Sequence, residues 1–311
     1  MTQHLLSERM QSTAWFFIPI KIEGHSMQRT IGVAGIQMEI RDGKDHREKM
    51  GGWVRKVSRD FPWVELIFFS ELCVFGGDPA FAEPIPGPVT DSFCDQAAKY
   101  GKWLIPGSLF EKDGNKIYNT TIAISPKGEI KAKYRKLFPW RPIESNNRGS
   151  EFCVFDIPGR GRFGLAICYD QWFPEVTRTL AWMGAEVIIH PTMTTTSDRD
   201  LELVISQANS IFNQLYFLSV NGVGDGGNGQ SIFVNPDGRV LQRAGGTETT
   251  LTEILDLGHV TRTREHGTLG LCHPLKELRD FPYEFSIYKE GIAKGEVFKP
   301  ISHERSRGKT R

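Results

Sequence analysis

The chain has 311 residues, 39% of them hydrophobic and 24% charged, and a formal net charge of +1. That length and composition suit a globular chain that buries a substantial core without staples. The balanced charge gives no electrostatic attraction to nucleic acid or to an acidic membrane surface. Cys73, Cys94, Cys153, Cys168 and Cys272 are irregularly spaced, with no CxxC pair. They read as reduced thiols, and a cytoplasmic location is expected. No stretch approaches the roughly 20 apolar residues of a membrane helix. The apolar run Trp15–Ile20 is too short for the core of a signal peptide.

Residues 1–28 lack sustained periodicity and are expected to be an extension, or upstream sequence before a start at Met27. The first clear strand is Ile31–Gln37. A polar helical stretch, Asp45–Arg59, leads to the apolar run Val64–Phe69. A helix near Val89–Tyr100 precedes a strand over Trp103–Phe110. Strands Ile117–Ser125 and Glu129–Tyr134 flank Ser125-Pro126-Lys127-Gly128, a hairpin turn. A loop rich in Pro, Asn and Gly spans Phe138–Ser150. Then come a strand over Phe163–Cys168, a helix near Phe173–Met183 and a strand over Glu186–His190. A longer helix near Asp198–Phe212, a strand over Tyr216–Val220 and a hairpin at Asn235-Pro236-Asp237-Gly238 complete the body. Strands separated by helices alternate with hairpins, so mixed sheets are expected. Residues 29–285 form one expected domain, and residues 286–311 a polar, basic tail that is loose or wraps a partner subunit.

Glu71, Lys136 and Cys168 each follow a strand, where α/β proteins build sites. A thiol between a strand and a helix start sits near backbone N–H groups and a dipole that favour the thiolate. From position alone, Cys168 also reads as a buried structural cysteine. Its base is either His190, at the end of the next strand, or the carboxylate of Glu71. His190 also reads as a satisfied core histidine. By themselves, Glu71 reads as a capping or solvated acid and Lys136 as part of a solvated basic run. Gly159–Gly164 and Gly222–Gly227 both fit G-x-G-x-x-G. Neither opens a helix, so both are turns and no nucleotide is implied. No metal-ligand spacing occurs, and no metal or cofactor is expected.

Phe69-Ser70-Glu71-Leu72, Lys133-Tyr134-Arg135-Lys136 and Gly164-Leu165-Ala166-Ile167-Cys168-Tyr169-Asp170 resemble, in order, the three signature segments of the nitrilase (carbon–nitrogen hydrolase) superfamily. The resemblance covers roughly residues 29–285. It implies an α+β fold, a four-layer α-β-β-α sandwich with mixed sheets. It also implies a Glu71–Lys136–Cys168 triad and homodimers or larger homo-oligomers. Lys136-Leu137-Phe138-Pro139-Trp140-Arg141-Pro142-Ile143-Glu144 is similar to aliphatic amidases and formamidases, where the counterpart of Glu144 places substrate. The chain then departs from that branch at Ser145-Asn146-Asn147-Arg148-Gly149. Asp170-Gln171-Trp172-Phe173-Pro174-Glu175 is more like carbamoyl-amine amidohydrolases. The resemblance thus implies a small-molecule amide or carbamoyl substrate. Tyr169 would supply a backbone N–H to the oxyanion, and Trp140 a pocket wall. A catalytically silent scaffold is the reading from a different class.

Overall fold

The chain enters β1 (Thr30–Gln37) with residues that alternate between two cores. Ile31 and Val33 face one, and Ala34 and Ile36 the other. The period-2 alternation of a strand buried on both faces produces that split. In this computed structural model residues 29–289 and Gly291 are described. The expected extension over residues 1–28 lies outside them, as does the expected tail apart from residues 286–289 and Gly291.

After β2 (Glu39–Ile40) comes α1 (Arg47–Asp60), which buries Met50, Val54 and Val57 along one face. Strand β3 (Val64–Phe69) sends Leu66 and Phe68 to the first core and Ile67 and Phe69 to the second. Helix α2 (Pro88–Tyr100) begins on a proline that fits the first helical turn, and it ends at Gly101 with φ 61°. The expected strand over Trp103–Phe110 divides into β4 (Trp103–Ile105) and β5 (Ser108–Asp113). The break is at Pro106-Gly107. Pro106 has no N–H for a ladder, and Gly107 has φ 71° with the Ser70 carbonyl only 1.8 Å from where a Cβ would stand.

The expected hairpin forms from β6 (Lys116–Ile124) and β7 (Ile130–Arg135). Next come β8 (Cys153–Ile157), β9 (Gly161–Leu165), α3 (Pro174–Trp182), β10 (Val187–Thr192), α4 (Arg199–Asn213) and β11 (Tyr216–Asn221). The described chain closes with β12 (Val223–Gly224), β13 (Ile232–Val234), β14 (Val240–Arg243), β15 (Thr249–Asp256), α5 (Leu257–His266), α6 (Pro274–Asp280) and α7 (Ser286–Lys289). The first glycine string runs through the β8–β9 turn into β9, and the second lies between β11 and β13.

Among the described residues, one sheet has the order β15-β1-β3-β4-β6-β5, with β7 on β6, and a second has the order β14-β13-β11-β10-β9-β8. Both are mixed: β1 pairs parallel with β3 and antiparallel with β15, while β10 pairs parallel with β11 and β9, and β9 antiparallel with β8. Three cores fill the three spaces between four layers. The first core, with Phe68, Phe163, Leu218 and Phe233, lies between the sheets. The second packs α1 and α2 on the first sheet, and the third packs α3 and α4 on the second. Burying a side chain such as Phe68 contributes about 1.5–3 kcal/mol. Gly35 lets the sheets approach: a Cβ there would stand 2.5 Å from Val220 Cγ2. The α-β-β-α sandwich is thus the observed architecture.

Candidate active site

The two sheets meet at the ends of β3, β7, β9 and β10. Glu71 lies in the turn after β3, and its N–H donates to the Thr192 carbonyl at the end of β10 at 3.2 Å. Lys136 is the first residue after β7, and its N–H donates to the Asn119 carbonyl at 2.8 Å. Its Nζ donates to Glu71 Oε1 at 2.9 Å and to Glu144 Oε1 at 2.6 Å. Lys136 is 0% exposed and Glu71 2%. Glu144 reaches Lys136 because the loop folds back, its N–H donating to the Trp140 carbonyl at 2.8 Å. Asn119 Nδ2 donates to the same Glu71 oxygen at 2.7 Å. Charges so far out of water persist only when paired this way.

Cys168 stands beyond the strand: β9 stops at Leu165, and Cys168 opens a 3-10 turn, Cys168–Trp172, with φ 47°. That left-handed conformation is strained for a residue with a Cβ. Its thiol feels the charges of Glu71 and Lys136, which pull its proton affinity in opposite directions. Cys168, Tyr169 and Trp140 line a narrow recess with Trp172, Thr194 and Glu202. Trp140, Met193 and Thr195 also border a wider cleft of about 450 Å³ with Glu71 and Glu144 in its lining. The second oxygen of Glu144 and Oδ1 of Asn119 are buried without a hydrogen-bond partner. Both are acceptors with capacity left for a donor. The structure therefore brings Glu71, Lys136 and Glu144 into direct contact. It places Cys168 beside them and Tyr169 and Trp140 on the wall.

The expected help for a resting thiolate is not what the site provides. Burial, and then the charge of Glu71, push the Cys168 thiol well above its ordinary value, and Lys136 opposes them only in part. A five-residue 3-10 turn aligns few peptide dipoles to compensate. A thiol shifted upward in this way needs a base to become a nucleophile. Burial also raises the Glu71 carboxyl, against the pull of Lys136, and so strengthens it as a proton acceptor. Burial by itself would lower Lys136, but Glu71, Cys168 and Glu144 together hold it well above the usual range as a cation.

His190, at the end of the strand expected from sequence, does not face the thiol. Its Nε2 lies 2.9 Å from the Cys168 carbonyl and its Nδ1 3.0 Å from Ser219 Oγ. A carbonyl only accepts, so Nε2 carries the proton and Nδ1 accepts from the serine hydroxyl. Burial lowers its pKa to about 3, which keeps the ring neutral. The Cys–His dyad is not formed, and the satisfied core histidine is what the structure contains. A pH profile checks this arrangement. Activity is expected to fall as pH drops and Glu71 takes up a proton, with an acid limb above the ordinary carboxylate range. A limb near the ordinary histidine value of about 6.5 that vanishes in His190→Gln would contradict it.

Three residues of the site carried little sequence signal for it. Asn119 reads from sequence only as part of the strand Ile117–Ser125, yet it is fully buried on Glu71. Thr192 and Glu202 sit on β10 and α4, where nothing in their spacing marks them. A run of three buried polar residues in a strand, Asn119, Thr120 and Thr121, is the one available signal. Among the described residues no group of three or more His, Cys, Asp or Glu is arranged to hold a metal ion. No described helix is long and apolar enough to cross a membrane.

Comparisons with known proteins place the fold and the family. The carbon-nitrogen hydrolase family model matches residues 32–265. Formamidases of Bacillus cereus and Bacillus thuringiensis are 35% identical over 204 residues, 60% of this chain and 60% of the relative. The chain thus spans about 60% of the length of these curated relatives. Nit3 of Saccharomyces cerevisiae, a nitrilase superfamily member, shares the fold with a TM-score of 0.73 at 23% identity, covering 81% of this chain and 97% of that one. A carbon-nitrogen hydrolase from Helicobacter pylori G27 also shares it, with a TM-score of 0.73 at 23% identity over 86% of this chain and 99% of its own. With its four-layer sandwich and a family match across most of its length, the chain belongs to the carbon-nitrogen hydrolase family.

Proposed function

We propose that the chain is a thiol-dependent hydrolase of non-peptide C–N bonds, an amidase that converts a small linear amide to a carboxylic acid and ammonia. The observation that carries this reading is the buried Lys136 ammonium held between Glu71 and Glu144 beside the Cys168 thiol. Glu71 accepts the thiol proton as sulfur attacks the amide carbonyl. Lys136 Nζ and the Tyr169 N–H hold the developing oxyanion; one such donor is worth ~100- to 1,000-fold in rate. Collapse expels ammonia, which takes its proton from Glu71, and leaves a thioester on Cys168. Glu71 then takes a proton from water, the hydroxide displaces the thiolate, and the thiolate recovers the proton. In this scheme Glu144, whose second oxygen has no hydrogen-bond partner, accepts from the substrate NH2.

The second reading is a carbamoyl-amine amidohydrolase releasing CO2, ammonia and an amine. The cleft favours it: about 450 Å³ beyond Trp140 leaves room for an amine substituent that the smallest amides do not have. A catalytically silent scaffold is disfavoured, because a scaffold gains nothing from burying Lys136 and Glu71 at a site that opens on a cleft. The proposed state is a homodimer or larger homo-oligomer in the cytoplasm. Supporting the oligomer, α4 exposes Leu201, Val204, Ile211 and Phe212 at 40–63%. Its buried face is largely polar instead, with Ser206, Asn209, Ser210 and Asn213.

The deciding experiment is ammonia release from formamide, acetamide, propionamide, longer and aryl amides, N-carbamoyl amines and nitriles. Release from short linear amides without CO2 is the expected result. Release only from carbamoyl amines, with CO2, replaces it with the second reading. Inactivity on every amide and carbamoyl amine rejects both.

A further inference from the structure

Asp170 is a buried carboxylate that the reaction scheme leaves idle. It lies two residues after Cys168 and is 0% exposed. Its oxygens accept from three donors: the Tyr134 hydroxyl at 2.7 Å, the Phe138 N–H at 2.9 Å and the Ile167 N–H at 2.9 Å. Tyr134 stands two residues before Lys136, and Phe138 two after it. Ile167 stands immediately before Cys168. One side chain therefore grips the chain on both sides of Lys136 and on both sides of Cys168. The grip is reinforced by Phe138 stacked on Phe173, with ring centroids 3.7 Å apart.

We propose that Asp170 is a positioning residue that fixes the separation between the Lys136 ammonium and the Cys168 sulfur. The proposal rests on the reading of these two residues given above. The need is geometric. Lys136 must meet an oxyanion that forms only once sulfur has attacked, and a displacement of about 1 Å at such a contact can cost ~100-fold. Lys136 and Cys168 follow strands of different sheets, β7 and β9, so the sheet ladders do not set their distance. The strained backbone at Cys168, with φ 47°, also needs an outside hold, and the bond to Ile167 N–H is next to it. Burial raises the Asp170 carboxyl to about 6, in spite of the three donors. An aspartate kept under that opposition is poorly suited to simple core filling, where an apolar side chain would do.

Asp170→Asn keeps the shape but turns an NH2 group toward one of three N–H or O–H donors, which breaks at least one bond. Expected is a ~10- to 100-fold loss of kcat with KM within about threefold. The second readout is the rate at which iodoacetamide alkylates Cys168, followed by peptide mass, which needs no knowledge of the substrate. It should fall in Asp170→Asn, yet change little when Asp170→Asn is added to Lys136→Ala. Unchanged kcat and alkylation would overturn the proposal. An equal loss in the Lys136→Ala background would overturn it too, because Asp170 would then act independently of Lys136. If Asp170→Asn does not fold, Tyr134→Phe decides: it removes one donor only, and a ~3- to 10-fold loss of kcat at unchanged KM is expected. Wild-type kcat there is the overturning result. Failure of the underlying reading looks different, since a Cys168→Ala protein would then still turn over.

Discussion

Cys168→Ala is expected to abolish turnover, with a loss of about 10⁴-fold or more in kcat, while Tm moves by only a few degrees. The change removes one sulfur atom and keeps the Cβ, so the turn from Cys168 to Trp172 retains its shape. Its bond to His190 is made by the backbone carbonyl and survives. The measurement is ammonia release by the purified variant beside a melting curve. Retained turnover would remove sulfur from the chemistry, and with it the thioester scheme. A collapse of Tm would assign Cys168 a structural part that its half-buried position does not suggest.

Lys136→Ala is expected to do damage of two kinds. The first is kinetic: at least ~100-fold in kcat, the worth of one oxyanion donor. A change in KM alone would make Lys136 a substrate-binding group only. The second is thermodynamic. Lys136 Nζ is the cation bonded to Glu71 and Glu144, and removing it leaves two carboxyls facing each other out of water. Breaking a buried pair in this way costs about 3–5 kcal/mol. The sign with pH follows from the raised Glu71 carboxyl. Without the lysine that carboxyl rises further, and a folded-state value above the unfolded one gives stability that is present in acid and lost as pH rises. The Tm of the variant should therefore fall relative to wild type as pH is raised from about 5 to 8. A pH-independent difference would show that the pairing energy lies elsewhere.

The layered sandwich was readable because its strands alternate or run apolar and its helices carry one buried stripe. The Trp103–Phe110 run misled because its apolar residues continue through Pro106-Gly107, and the break depends on the Ser70 carbonyl more than thirty positions away. Strand β15 escaped notice because Thr249–Asp256 is half polar; it is a strand through its pairing with β1. The acid, the lysine and the cysteine were legible as a set, since each follows a strand and together they match one family. The parts played by Asn119 and Asp170 were not, because they come from hydrogen bonds to distant residues or to backbone atoms, whereas His190 was readable as a satisfied core histidine. No periodicity encodes such contacts.

The upward shift of the Cys168 thiol bears on its oxidation. Peroxides attack thiolates far faster than thiols. A sulfur that burial and Glu71 keep protonated offers them little to attack until a ligand occupies the site. Under the proposed scheme the sulfur is activated only beside a bound amide, so slow loss of activity in hydrogen peroxide is the expected behaviour.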